Sequence, residues 1–467
     1  MPELPIELWL KILEDLPKST LANVSLANHH IRTLCEPLLY SKDVVLRPYA
    51  FSSDQAALLV DGDAAAARAR MEFFCCDRIA PLVRVCTIEP WEWVERPDPA
   101  TLAADSFQIL SIFLHRLPAF MALRDLTLRI EAPHPVRGRL WCSSAFEAPG
   151  GGFSLAKHPP WRIVAPKAGV NAPTRVFIFR TRGPLQSSLV LWVATMEPTT
   201  LRELTIHGSW PPSLDESSVS AIERFTELKQ LVLISYAIST ADTTFPSLKS
   251  FSTLTELTLN IQYTASLPSD ISLPLVRKIS ANLHFLSVLL RRATTPRLTT
   301  LDIPFCSNSS LLEVLQTLEG GDADPARIEH LALDLVFDYD FEEIDPYPFD
   351  GLAALIPPFF PHLKTLCIQL DLDEGYYDLI MGSDIGAGIM SPRDFLARSL
   401  PTTLVKLSLT FNFPYIAGRE TDTEAFRGAF PGHLPALTRE SSLGCGAATS
   451  LGRRLVALRM IKMVQKC

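Results

Sequence analysis

The pattern Leu-x-x-Leu-x-Leu recurs through the middle of this chain and limits its folding more than any other feature. It reads Leu123-x2-Leu126-x-Leu128, Leu201-x2-Leu204-x-Ile206, Leu228-x2-Leu231-x-Leu233 and Leu254-x2-Leu257-x-Leu259. It continues as Leu298-x2-Leu301-x-Ile303, Ile328-x2-Leu331-x-Leu333, Leu363-x2-Leu366-x-Ile368 and Leu404-x2-Leu407-x-Leu409, with a weaker copy at Val276-x2-Ile279-x-Ala281. From Leu204 onward the central residues are 27, 26, 22 and 22 residues apart, then 30, 35 and 41. Alternation within each copy predicts a short strand with its leucines on one face. Helical patterns lie between copies, at Ser217 to Phe225, Asn282 to Arg292, Ser309 to Leu318 and Arg393 to Ser399. A unit of strand, loop, helix and loop buries its leucines only against its neighbours.

The shorter periods resemble a leucine-rich repeat. The resemblance implies an α/β fold, an irregular leucine-rich-repeat solenoid of horseshoe form. That family's Asn or Cys ladder position is Cys306 in one unit and Asn412 in another, but Glu131, Ser209, Tyr236, Gln262, Val336 and Asp371 elsewhere, so curvature should be uneven. An ordinary α/β domain, in which the pattern recurs by composition, is the competing reading.

The first forty residues have a different character. Apolar residues at Leu8, Ile12, Leu13 and Leu16 mark one helix face. Pro5 suits the first turn and Pro17 ends the helix. Ser19 or Thr20 is expected to cap a second helix carrying Leu21, Val24 and Leu26. A third run holds Ile31, Leu34, Leu38 and Leu39. So small a module buries too little surface to stand alone, and its oily face is either a docking site or a cap on the following domain. Leu4-Pro5-x-Glu7-Leu8-x3-Ile12-Leu13-x2-Leu16, then Leu21-x2-Val24-Ser25-Leu26-Ala27 and Leu38-Leu39-Tyr40, resembles an F-box of the fungal type. The resemblance implies a three-helix fold that binds the Skp adaptor of a cullin–RING ubiquitin ligase, while the rest of the chain holds a client protein. It assigns adaptor contact to Leu4, Pro5, Leu8, Ile12, Leu13, Leu16, Leu21, Val24 and Leu26, as a face and the small core behind it.

These features divide the chain into an F-box-like module (1–42), a bridging region (43–118), the repeat array (119–415) and a low-order tail (416–467). In the bridge, Val44 to Leu46 and Leu82 to Ile88 read as strands and Asp54 to Cys76 as a helix. A Gly- and Pro-rich excursion, Pro133 to Pro173, interrupts the array between Leu126 and Leu204. One amphipathic helix is expected in the tail, from Leu451 to Val464.

Net charge is −8, and no basic stripe is expected to be available to displace counterions, which disfavours nucleic acid as a partner. Nine scattered cysteines lack disulfide or zinc spacing, which points to a reducing compartment. No apolar run reaches the ~18 residues of a membrane span, and no signal peptide is seen, so a cytosolic or nuclear protein is expected. No nucleophile elbow, phosphate loop or metal spacing occurs; the expectation is a non-catalytic chain without cofactor or metal. Cys75-Cys76 reads as a buried apolar pair rather than a redox centre.

Two acidic runs with embedded aromatics follow Leu333 and Ile368. They include Asp338, Tyr339, Asp340, Glu342 and Glu343, then Asp371, Asp373, Glu374 and Tyr376. If their strands are neighbours, the runs form one negative surface that could hold a basic client. They also read as solvated loops.

Overall fold

The computed structural model describes residues 4–41, 43–48, 61–89, 107–130, 174–181, 192–193, 195–208, 216–235, 248, 251–260, 271–306, 311–312, 315, 325–336, 348–371, 401–413 and 456–463. They fall into two compact units that divide after Thr253.

The first unit opens on three helices, α1 (Ile6–Glu14), α2 (Lys18–Val24) and α3 (His29–Tyr40). Pro5 and Pro17 stand at the N-caps of α1 and α2 in extended conformation, with no side-chain cap bond at either. The cap expected from Ser19 or Thr20 is therefore corrected: α2 starts earlier, because Pro17 already sets the backbone angle at its entry. Asn28 caps α3, its Oδ1 accepting from Ile31 N at 2.8 Å.

The unit continues with β1 (Val44–Leu46), α4 (Asp61–Phe74), a 3-10 turn at Ala80–Leu82, β2 (Val85–Ile88), α5 (Phe107–Arg116) and β3 (Asp125–Ile130). Then come β4 (Val176–Thr181), β5 (Glu203–Gly208), α6 (Glu216–Glu223) and β6 (Gln230–Ser235). All six strands run parallel, in chain order. Their register stacks Val44, Cys86, Leu126, Phe177, Leu204 and Leu231 in one buried row. Leu46, Ile88, Leu128, Phe179, Ile206 and Leu233 form the next. Each row is a continuous apolar column, because side chains two apart share a face and parallel neighbours match like with like.

The second unit contains β7 (Glu256–Asn260), β8 (Ile271–Ser272), β9 (Lys278–Ala281), α7 (Leu283–Arg292), β10 (Ala293–Thr294) and β11 (Thr300–Cys306). It goes on through β12 (His330–Val336), α8 (Pro348–Phe359), β13 (Thr365–Asp371), β14 (Lys406–Phe413) and β15 (Val456–Met463). Strands β7, β9, β11, β12, β13 and β14 are parallel neighbours in that order, and β8 pairs separately with β10. Leu257, Ile279, Leu301, Leu331, Leu366 and Leu407 form their shared buried row. Both units are thus α/β with parallel sheets, and the last two apolar positions of every copy of the leucine pattern lie on a strand, the first standing just before it.

Three differences from expectation stand out. The array between Leu126 and Leu204 is not empty: β4 fills it, with Thr174, Phe177 and Phe179 buried where leucines stand elsewhere, and Trp192 stacked on Phe177. The tail helix expected over Leu451–Val464 is instead β15, which pairs antiparallel with β14. An open edge of unpaired N–H and C=O groups accepts such a strand readily. Helices α5 and α8 were not expected. The excursion at 133–173 and the helix expected at Arg393–Ser399 lie outside the described residues, as does all but Leu311, Leu312 and Leu315 of the helix expected at Ser309–Leu318.

Candidate protein-docking face

Helix α1 carries apolar residues nearly all round, at Ile6, Leu8, Trp9, Leu10, Ile12 and Leu13. A helix of this kind needs cover on more than one side. One side is covered by the module itself. Leu13, Leu21, Leu34, Cys35 and Leu39 form a small core, and Trp9, Leu10, Leu16, Val24, Ile31, Leu38 and Tyr40 pack around it half-buried. The other side is bare. Leu4, Ile6, Leu8 and Ile12 are 41–49% exposed, and Leu26 is 80% exposed. Of the nine large apolar side chains exposed among the described residues, five thus belong to the first 26 residues. That concentration separates a patch from ordinary scattered exposure.

The module's attachment leaves this face alone. Tyr40 meets the rings of Phe73 and Phe74 edge-on, each at 5.8 Å. Glu36, which pairs with Arg32 on its own helix, also lies 3.6 Å from Arg78. Lys18 Nζ donates to the Asp43 carbonyl at 2.7 Å. All three contacts use α3 or the start of α2. Among the described residues, the face of Leu4, Ile6, Leu8 and Ile12 is therefore turned away from the seat of the module.

The residues assigned from sequence divide accordingly. Leu4, Pro5, Leu8, Ile12 and Leu26 are exposed and available to a partner. Leu13 and Leu21 are fully buried and hold the helices together, as the small core behind that face. Leu16 and Val24 are intermediate. Leu26 does not belong to α2 as expected, since that helix ends at Val24 and Leu26 projects from the turn beyond it. Ile6 belongs to the face but was missed, because it fills a variable position of the motif.

Of the second candidate surface, only Asp371 is described, as the last residue of β13, in register with Val336 of β12. The strands from which the two acidic runs leave are therefore neighbours. Asp338, Tyr339, Asp340, Glu342, Glu343, Asp373, Glu374 and Tyr376 lie outside the described residues.

A cavity of about 320 Å³ lies between β1 and α4, walled by Val45, Leu46, Ala67 and Met71 with Arg47 and Arg70 alongside. Both cations are engaged: Arg47 pairs with Glu89 at 2.8 Å, and Arg70 donates to the Val45 carbonyl and lies over Phe74. No group of three metal-ligating side chains occurs among the described residues, and no described helix is long and apolar enough to cross a membrane.

The thiols have the environment of core residues. Cys35, Cys75 and Cys86 are buried and unbridged. Burial pushes the Cys75 thiol up to about 12, with Arg116 opposing and Cys76 adding to the rise. Burial likewise raises Cys86 and Cys35. The thiolate is the reactive form, so iodoacetamide at pH 8 is expected to leave these three unmodified in the native chain and to label them after denaturation, as read by peptide mass. Rapid native labelling of Cys75 would show that the pair is a reactive centre after all.

No protein-family model matches this chain, and none of the curated proteins matches it.

Proposed function

We propose that this chain is the substrate-recognition subunit of an SCF-type ubiquitin ligase, in which the N-terminal helices bind the Skp adaptor and the strand array holds a client protein. The observation that carries this reading is the uncovered face of Leu4, Ile6, Leu8 and Ile12, set on a module that joins its own chain by a different side. The motif resemblance gives that face its occupant. The buried in-register rows of leucines support the companion reading of the array as an irregular leucine-rich-repeat solenoid.

The chemistry asked of such a chain is bridging. Full burial of a large aliphatic side chain is worth roughly 1.5–3 kcal/mol, so covering the exposed half of each contributes on the order of 1 kcal/mol. Several together offset part of the cost of association. Holding a client beside the transferring enzyme then raises rate through proximity. A binding scaffold whose helical module is only a cap is the rival reading, and the exposed face counts against it.

The test is recovery of complexes from cells expressing the tagged full chain. The wild type is expected to bring down the Skp adaptor and the cullin, and Ile12→Asp neither. Equal recovery with both chains, or none with either, would contradict the assignment.

A further inference from the structure

The strands of the first unit are stitched together just before they begin. Arg124 N donates to the Arg84 carbonyl at 2.8 Å, Arg175 N to Arg124 at 2.6 Å, Arg202 N to Arg175 at 2.8 Å and Lys229 N to Arg202 at 2.7 Å. This backbone ladder places Arg84, Arg124, Arg175, Arg202 and Lys229 on five consecutive rungs. Neighbouring strands are about 4.8 Å apart, so the five cations form a column roughly 19 Å long. Arg84, Arg124, Arg175 and Lys229 are exposed. Arg202 is part-buried and pairs with Glu227 at 3.1 Å.

The fold does not require cations at this position, because only the backbone makes the bond. In the second unit the same rung holds Thr255, Arg277, Thr299, Glu329, Lys364 and Val405. With 43 Lys and Arg in 467 residues, five positions taken at random would hold fewer than one. The basic run in the first unit is thus a property of its surface.

We propose that this column docks an extended, carboxylate-rich peptide segment of the client. The assignment rests on the ligase reading for the word client; the acidic-peptide site itself stands on the column. An extended chain advances about 3.3 Å per residue and presents alternate side chains on one side. About six residues therefore span the column, with carboxylates facing the rungs. Charge complementarity of this kind fixes register and speeds encounter. The adjoining acidic groups set the limits of the site. Asp125 lies beside Arg124 and Arg175; burial raises its carboxyl and the two arginines oppose that rise. Glu203 follows Arg202 in sequence, and Glu227 is committed to it. These interspersed carboxylates, and the lack of any aromatic side chain on the rungs, fit a short peptide better than a nucleic-acid strand, which needs a continuous basic groove and stacking platforms. The column also begins two residues after the 3-10 turn at Ala80–Leu82, in the unit that carries the N-terminal module.

The probe is a fluorescein-labelled peptide of alternating Glu and Ser, about twelve residues long, titrated onto the purified full chain. A Lys-Ser peptide and an oligouridylate of similar length serve as comparisons. The wild type is expected to bind the Glu-Ser peptide, and not the Lys-Ser one. R124E/R175E should weaken binding by about tenfold or more, as expected for removing and reversing close charge pairs, while melting as the wild type does. R68E/R297E makes the same change in net charge at exposed positions off the column and should stay within about twofold. No binding by the wild type, or equal weakening by both double variants, would overturn the proposal. So would tighter binding of the oligouridylate that R124E/R175E abolishes, which would assign the column to nucleic acid. Recovery of the Skp adaptor by R124E/R175E separates the two readings: retained adaptor with lost peptide leaves the ligase assignment standing, and failure of the wild type to bind adaptor leaves the column standing.

Discussion

Leu366→Asp is expected to yield no folded second unit. Leu366 is fully buried near the start of β13, with Leu331 of β12 and Leu407 of β14 beside it in the same row. An aspartate there has two poor alternatives. Ionised, it is an unpaired charge among aliphatic side chains; protonated, it still leaves polar atoms without partners and forfeits the contacts of the leucine. Leu→Ala at such a site already costs about 2–5 kcal/mol through lost transfer energy and the cavity left behind. The charge adds to this, and the whole margin of a domain is only about 5–15 kcal/mol. Two residues away, Lys364 is exposed and pairs with Glu329 at 2.7 Å. Lys364→Ala should change stability by less than about 1 kcal/mol, as exposed ion pairs do. Soluble yield and thermal melting followed by circular dichroism distinguish the two. A Leu366→Asp chain that melts like the wild type would mean that the leucine rows are not the core.

The strands were legible in the sequence because large aliphatic residues stand at three fixed places and the side-chain period of a strand is two. Where other residues fill those places, the pattern fades. β4 buries Phe177 and Phe179, with Thr174 buried just before it, so the pattern fades next to a Gly- and Pro-rich passage. β2 was read as a strand, but Val83, Cys86 and Ile88 hid its membership in the same row. α8 contains Pro357 and Pro358, residues that ordinarily end a helix, yet the helix runs through to Phe359. β15 carries Arg459 and Lys462 at helical spacing, and only the open edge of β14 decides its form. The docking face was half legible. Spacing identified α1 as oily but could not say that Leu13 turns inward while Ile12 turns out, because apolar residues occupy most of its circumference. The basic column was invisible, since its members stand between 27 and 51 residues apart and only strand pairing brings them together. The expectation that no basic stripe is available is corrected by this column, which forms only once the strands pair.

The second large effect concerns that exposed face. Leu8 and Ile12 lie one helical turn apart and are each about half exposed. A partner that covers them would have to bury the carboxylate of an aspartate placed there. Lost apolar contact and the cost of desolvating that charge together predict a fall in adaptor affinity of about a hundredfold or more. Stability should hardly move, because neither side chain is part of the module's core. Leu13→Asp is the contrasting case: its side chain sits inside that core with Leu21, Leu34 and Leu39, so it should lose both the fold of the module and the binding. The decisive measurement is a calorimetric titration of purified Skp adaptor onto the purified full chain, with Leu8→Asp and Ile12→Asp run alongside. The account predicts saturable one-to-one binding by the wild type, collapsed affinity in both variants and melting temperatures within a few degrees of one another. Absence of saturable binding by the wild type, or binding that both variants retain, would contradict it.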